Sequence, residues 1–420
     1  MFSFLHVADI HLDSPLRGLA RYEGAPVEAI RGATRQALAN MVEYALDNAI
    51  PLVVLAGDVY DGDCPDFQTL LHFAHQMSRL GEHGGQVVMI RGNHDADNDM
   101  TSALRLPDNV TVLPPDKAGT WRCESLPVAV HGRSYPACDV TDNLVRDYPA
   151  PLPGLFNIGL LHTALSGRPG HASYAPCTLT DLAAKGYDYW ALGHVHEFEY
   201  VSQAPHAVFS GCLQGRHARE TGPKGCVRVD VGDDGLIHVE QVILDALRWD
   251  MINVSVANAR SMDDLYALVD SALKSALSPL EGRPAAVRLR LHGQCPAHAR
   301  IARNPERVIA QIRLMATDLS QARVWVEKVL LETTPDLNLA ALSQGDTPQA
   351  GLVRALENLE DNPEELTKLG VDLRDLQAKI SVSAVNLPDF DDPETRAALA
   401  RDVRNMLLPM LAGTSQGPLD

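Results

Sequence analysis

Cysteine is scarce in this chain and spaced for neither crosslinking nor zinc: seven residues in 420, widely scattered, none in a C-x-x-C pair. A disulfide framework and a zinc ribbon are thereby excluded, and the reducing cytoplasm is the expected location. No run approaches the ~18 consecutive apolar residues of a spanning helix, so no membrane role is expected. The opening residues, Met1 to Asp9, lack the basic stretch and long apolar core of a signal peptide. Internal repeats and low-complexity tracts are absent too. What is present is an ordinary globular mixture, 45% hydrophobic and 21% charged. The chain exceeds the ~250–300 residues at which single cores stop growing, so two or three domains are expected.

Basic residues are also in deficit. The net charge is −18, which at face value argues against a nucleic-acid partner. The deficit is uneven. Residues 1–245 carry 17 Lys+Arg against 30 Asp+Glu, residues 246–335 carry 12 against 9, and residues 336–420 carry 7 against 15. Only the middle segment lacks an acidic excess, and some acids of the first could be metal ligands rather than solvated charge.

Periodicity divides the chain at the same places. In residues 1–245, β-branched runs (Phe2–Val7, Leu52–Leu55, Val87–Ile90, Ala129–Gly132, Phe156–Leu161, Tyr187–Leu192) alternate with helical patterns near Val27–Asn48 and Asp66–Leu80. That is the pattern of an α/β sandwich. Gly225–Val231 and Leu236–Leu244 flank a Gly-Asp-Asp-Gly turn and predict a hairpin. Residues 246–335 read strand-helix-strand-helix-strand, a small α+β domain. Residues 336–420 read as three helical patterns. Two of them begin at Asn362-Pro363-Glu364-Glu365 and Asp392-Pro393-Glu394, with an N-cap residue, then proline, then acid.

Five short motifs share one position, the loop after a predicted strand: Asp9-Ile10-His11, Gly57-Asp58, Gly92-Asn93-His94-Asp95, His162, and Gly193-His194-Val195-His196. Loops at the carboxyl ends of strands are where α/β proteins build sites. In D-x-H and H-x-H an extended backbone sends residues i and i+2 to the same side, so each motif can aim two ligands into one cleft. Asp, Asn and His suit Mn²⁺, Fe or Zn²⁺. Seven candidate ligands (Asp9, His11, Asp58, Asn93, His162, His194, His196) exceed the about three or four of a single-metal site. One bridging carboxylate would let them serve two ions, the arrangement that clamps the attacking and leaving oxygens of phosphoryl displacement.

Over roughly residues 1–215 the set resembles the calcineurin-like metallophosphoesterase signature, D-x-H, G-D-x-x-D/H, G-N-H-D/E, H, G-H-x-H. The stretches Phe4–Leu12 and Tyr187–His196 look more like its DNA-repair nuclease branch, to which SbcD-like and YhaO-type proteins belong. The fold so implied is α/β: a two-sheet metallophosphoesterase sandwich flanked by helices (1–245), a small α+β capping-like domain (246–335) and a helical partner-binding segment (336–420). Two divalent ions are implied, Mn²⁺ first, with Fe or Zn as alternatives. Asp9, His11 and His196 would bind one, Asn93, His162 and His194 the other, and Asp58 both. A metal-bridging hydroxide would attack phosphorus while His94, oriented by Asp61 or Asp95, aids the leaving group. The implied partners are DNA and an SbcC-like coiled-coil ATPase docked through the C-terminal helices, with homodimerisation open. One departure is Asp61, in Gly57-Asp58-Val59-Tyr60-Asp61, where the nuclease branch often has His and phosphatases also use Asp. A phosphomonoesterase or nucleotide phosphodiesterase, and a non-catalytic scaffold subunit, stand as alternatives.

Other residues have plainer readings. His6 and His131 are expected to be structural, and His72, His75, His83, His217, His238, His292 and His298 to lie at the surface. His171, in a Gly/Pro-rich loop, could border the cleft. Arg288, Arg290, Arg300, Arg303, Arg307 and Arg313 make either a solvated face or a phosphate-tracking surface. Leu399, Val403, Met406, Leu407 and Met410 form one stripe of the last helix, suited to its own domain or to a partner's coiled coil.

Overall fold

The computed structural model of the protein describes residues 1–14, 27–61, 67–96, 105–167, 174–257, 259–280, 282–320, 323–336, 342–362, 367 and 392–412. Contacts group the chain into two units. The first is Met1–Met251 with Leu280–Val287 and Arg323–Glu327; the second is Ile252–Pro279, Arg288–Ala322 and Lys328–Asp420. His171 lies outside the described residues.

The first unit is a two-sheet α/β sandwich. Its strands are β1 (Phe2–Val7), β2 (Leu52–Ala56), β3 (Gln86–Ile90), β4 (Val110–Val112), β5 (Gly119–Arg122), β6 (Val128–Gly132), β7 (Phe156–His162), β8 (Tyr189–Gly193), β9 (Glu199–Gln203), β10 (His206–Phe209), β11 (Gly225–Val231) and β12 (Ile237–Ile243). One sheet runs β12-β11-β1-β2-β3-β4 and the other β5-β6-β7-β8-β10-β9. Helices α1 (Val27–Asp47) and α2 (Phe67–Glu82) follow β1 and β2.

The continuous apolar runs exist because the central strands are covered on both faces. Phe4, Val54, Ala56, Val88 and Ile90 point between the sheets, against Val130, Ile158, Leu160, Tyr189 and Ala191. Their neighbours Leu5, Val7, Val53, Leu55, Val87 and Met89 point the other way, onto Leu38 and Met41 of α1 and Phe73 and Met77 of α2. The outer face of the second sheet buries Trp190, Leu192 and Phe209 with Tyr135, Tyr148 and Leu182. The loops that follow β1 and β2 stay buried as far as Leu12 and Tyr60.

His6 is fully buried in this sandwich, with Nε2 3.2 Å from the Leu192 carbonyl oxygen and Nδ1 3.1 Å from the Tyr189 hydroxyl. A carbonyl only accepts, so Nε2 carries the hydrogen and Tyr189 donates to Nδ1. Burial pushes the imidazole down to about 3. The unfolded chain therefore binds a proton, below the ordinary value of 6.5, that the folded chain refuses. Stability from this group is intact above about 6.5 and is lost toward 3 at about 1.4 kcal/mol per pH unit. We expect His6→Gln to flatten the acid limb by up to one proton, read from urea midpoints at pH 7, 6 and 5. An unchanged slope would show that His6 is not held neutral.

The second unit holds the helices Met262–Leu277, His298–Arg303, Pro305–Ser320, Pro348–Asp361 and Pro393–Ala412. Three strands, Arg248–Ser255, Ala285–Cys295 and Val324–Pro335, form a sheet in that order, and the division between the units falls within them. Ser261 and Asp264 make a reciprocal capping box at the start of Met262–Leu277, at 3.1 and 3.0 Å. Asp392 caps Pro393–Ala412, accepting from Thr395 N at 2.9 Å. The start expected at Asn362–Glu365 falls largely outside the described residues, and Asn362 itself is the C-cap of Pro348–Asp361. His298, expected at the surface, is buried and bonds Thr333 Oγ1 at 2.8 Å, because its short helix packs that side inward. Among the described residues no helix is long and apolar enough to cross a membrane.

Candidate metal centre

All five motifs follow strands of the sandwich: Asp9 and His11 follow β1, Asp58 follows β2, Asn93 follows β3, His162 ends β7, and His194 and His196 follow β8. The extended backbone expected of D-x-H is not what aims the first pair. Asp9 (φ 50°), His11 (φ 45°), Asp58 (φ 53°) and His194 (φ 96°) all have positive φ. Such residues cost on the order of 1–3 kcal/mol each and persist only where surrounding bonds over-determine them. Here the loops pair with each other: Asp9 N donates to Gly57 O at 3.1 Å, His11 N to Asp58 O at 3.1 Å and Leu12 N to Val59 O at 2.9 Å. Two motif glycines are required by close approach. A Cβ on Gly92 would overlap the Asp58 carboxylate, and one on Gly193 would overlap the Ala56 carbonyl.

The side chains converge. Asp9, His11 and His196 lie within ligand reach of one another, as do Asp9, Asp58 and His162. Asp58 Oδ2 is 3.2 Å from His162 Nε2 and 3.9 Å from His11 Nε2, while Oδ1 accepts from His94 N at 3.0 Å. Asn93 Oδ1 is 3.0 Å from His162 Nε2. His194 stacks edge-on to His162 at 5.2 Å, and its backbone N donates to Asp9 at 3.0 Å. Asp9, His11, Asp58, Asn93, His162 and His194 are buried, and His196 is partly so.

The donor set fits cations. His11, His162 and His196 each spend Nδ1–H on an acceptor: Asp61 Oδ1 at 2.5 Å, Ala56 O at 2.9 Å and Glu220 Oε1 at 2.6 Å. Their Nε2 atoms are left as lone pairs, the tautomer that ligates a metal. Those of His11 and His196 face each other at 3.3 Å, and that of His162 faces two oxygens. Lone pair against lone pair is repulsive without a cation between. The same crowding attracts protons: burial opposes charge on His162, but the Asp58 carboxylate overrides it and raises the imidazole to about 9. Asp58 is in turn held well below the usual carboxylate range, because His162 and His11 outweigh its burial.

Residues 2–198 match the calcineurin-like phosphoesterase family, and residues 249–334 match the middle domain of metallophosphoesterase YhaO. Over 374 residues the chain is 30% identical to "Uncharacterized metallophosphoesterase YhaO" of Bacillus subtilis (strain 168), covering 86% of this chain and 90% of that protein. This chain is a calcineurin-like metallophosphoesterase. It is also similar to "DNA double-strand break repair protein Mre11" of Methanopyrus kandleri, 24% identical over 408 residues, 86% of this chain and 84% of the relative. The protein of the same name from Sulfolobus acidocaldarius is 22% identical over 198 residues, 46% of this chain and 49% of the relative. Calcineurin-like phosphoesterases bind divalent metals, and the clusters above supply ligands of the right chemistry.

Two residues of this metallophosphoesterase are placed differently from their expected roles. Asp61 sits closer to His11 than to His94, at 2.5 Å from the Nδ1 of the first and 3.6 Å from that of the second. Asp95 does not orient His94. Its carboxylate accepts from the backbone N–H groups of Val59, Tyr60 and Gly92 at 3.2, 2.9 and 3.1 Å, and so ties two ligand loops together. His217 is exposed, as expected, with Nε2 3.7 Å from Glu220 Oε1. His94 itself is 46% exposed, its ring edge-on to His11 at 4.9 Å. Glu220 and Arg216 escaped the sequence reading altogether. Burial opposes charge on Glu220, but His196 and Arg216 hold its carboxyl well below the ordinary range. Their only sequence signal is an Arg and a Glu four residues apart.

Proposed function

We propose that this metallophosphoesterase is a two-metal phosphodiesterase acting on DNA, an exo- or endonuclease subunit that works with an SbcC-like coiled-coil ATPase. One observation carries the reading: three imidazole lone pairs converge on Asp9, Asp58 and Asn93. The chain that holds them is similar along most of its length to a protein named for double-strand break repair. Asp9, His11 and His196 would hold one divalent ion, Mn²⁺ by preference, and Asn93, His162 and His194 the other, with Asp58 shared. When bound, such ions act as Lewis acids on phosphoryl oxygens and lower the pKa of water. Asp58 and Asp9 keep the charge balance, Asn93 faces the second position, and His94, exposed at the rim, gives its proton to the leaving oxygen.

In this reading residues 246–335 act as a capping domain. Arg300, Arg303, Arg307 and Arg313 are exposed there, available to phosphates. Residues 336–420 act as the partner-binding segment. The stripe of its last helix is already partly in use, since Leu407 packs with Val353 and Leu356. A second reading, a phosphomonoesterase or nucleotide phosphodiesterase, is favoured by Asp61 standing 3.6 Å from His94.

The test is hydrolysis by the purified chain with Mn²⁺, alone and with the ATPase, on linear duplex DNA, bis(p-nitrophenyl) phosphate and p-nitrophenyl phosphate. We expect cleavage of both diesters. Neutralising the four arginines should weaken DNA binding and lower its log–log salt slope by ~0.9 per lost phosphate contact, leaving the small diester untouched. Hydrolysis of the monoester alone would establish the phosphatase reading. A chain inert on all three while loaded with metal would be a scaffold.

A further inference from the structure

We propose that Glu220 and Arg216 are positioning residues of the metal centre, holding the Nε2 atoms of His11 and His196 toward each other through one charged string. The two-ion reading above is its premise. The string runs His11–Asp61–Arg216–Glu220–His196. His11 Nδ1–H donates to Asp61 Oδ1 at 2.5 Å and His196 Nδ1–H to Glu220 Oε1 at 2.6 Å. Arg216 stands between the carboxylates, with Nη2 3.0 Å from Glu220 Oε1 and Nη1 3.5 Å from Asp61 Oδ1. Its backbone N also donates to Glu220 Oε2 at 2.7 Å. The loop closes on the two Nε2 atoms, 3.3 Å apart.

Each bond has a reason. Two lone pairs at that distance repel, and an imidazole escapes repulsion by rotating about its ring torsion. A carboxylate on Nδ1–H prevents the rotation and makes the ring a better donor. Two carboxylates so close would spread apart in turn. A guanidinium, planar and always charged, reaches both with separate N–H groups, which an ammonium on a flexible stem does not. Glu220 is 7% exposed and the Arg216 side chain 14%, so water screens little of this. Lys224, buried beside them, anchors the backbone by donating to the His196 carbonyl at 3.0 Å.

The second ligand set is oriented by other means. His162 donates to a neutral carbonyl, Ala56 O, at 2.9 Å, outside the string. Breaking the string should therefore act on one ion and spare the other, which a general loss of folding cannot do.

The experiment is Mn²⁺ titration of the full-length chain by calorimetry and by electron paramagnetic resonance, with metal content measured after desalting. The wild type should bind two ions and show a spin-coupled pair. Glu220→Ala and Arg216→Ala should keep one ion at unchanged affinity and bind the other ~10–100-fold more weakly, with the signal of an isolated ion. Glu220→Gln, which keeps an oxygen for the Nδ1–H, should fall between, and Arg216→Lys should recover only part. Variants that hold both ions at wild-type affinity would overturn the assignment. So would folded variants that lose both together. A wild-type chain that binds no ion would overturn the two-ion reading and this inference with it.

Discussion

Asp58→Asn is expected to empty both metal positions at once and to abolish hydrolysis. Asp58 is buried, and its carboxylate faces ligands of both sets, with Oδ2 at 3.2 Å from His162 and 3.9 Å from His11. Asparagine keeps the volume and one oxygen, so Oδ1 can still accept from His94 N. The charge is lost, and with it the attraction that draws cations against the cost of dehydrating them. If the amide turns its NH₂ toward the histidines, it also offers them a donor where a cation should sit. Metal content of the purified variant, beside its thermal midpoint, decides the matter. An Asn variant that retains both ions would show that Asp58 does not join them.

The counterpart is His94→Gln, which should keep both ions while kcat on a diester falls by ~10²–10⁴-fold, the usual loss when a general acid is removed. His94 meets Asp58 through its backbone N–H, at 3.0 Å, and any residue retains that bond. Its ring is 46% exposed, with Nδ1 3.6 Å from Asp61 Oδ1. His11, Asp58 and His94 nonetheless lie close enough to share an ion. The two variants therefore separate the roles: loss of metal from His94→Gln would make it a ligand.

The strands that carry ligands were legible because both of their faces are buried. Phe2–Val7, Leu52–Ala56 and Phe156–His162 read as apolar runs with few polar interruptions. The strands not anticipated, Val110–Val112, Gly119–Arg122, Glu199–Gln203 and His206–Phe209, lie at or next to sheet edges. There short length, and in the three edge strands half-exposed residues, leave no such run. The ligands were legible because each follows a strand in a motif of fixed spacing. Their left-handed backbone was not, since Asp and His, though enriched at positive φ, adopt it far less readily than Gly does. Arg216 and Glu220 were illegible for a different cause. They act on ring nitrogens of residues up to 205 positions away in sequence, through bonds that only the folded chain creates.

Asp9, Asp58 and Asn93 hang from one sheet, whereas His162, His194 and His196 hang from the other. Any cation these residues share is therefore also a rivet between two layers. Loading and layer docking become one equilibrium: ion at a hundredfold excess over Kd adds about 2.7 kcal/mol to the riveted state. By reciprocity, whatever spreads the open edge of the sandwich loosens the ion by the same factor, and whatever clamps that edge shut tightens it.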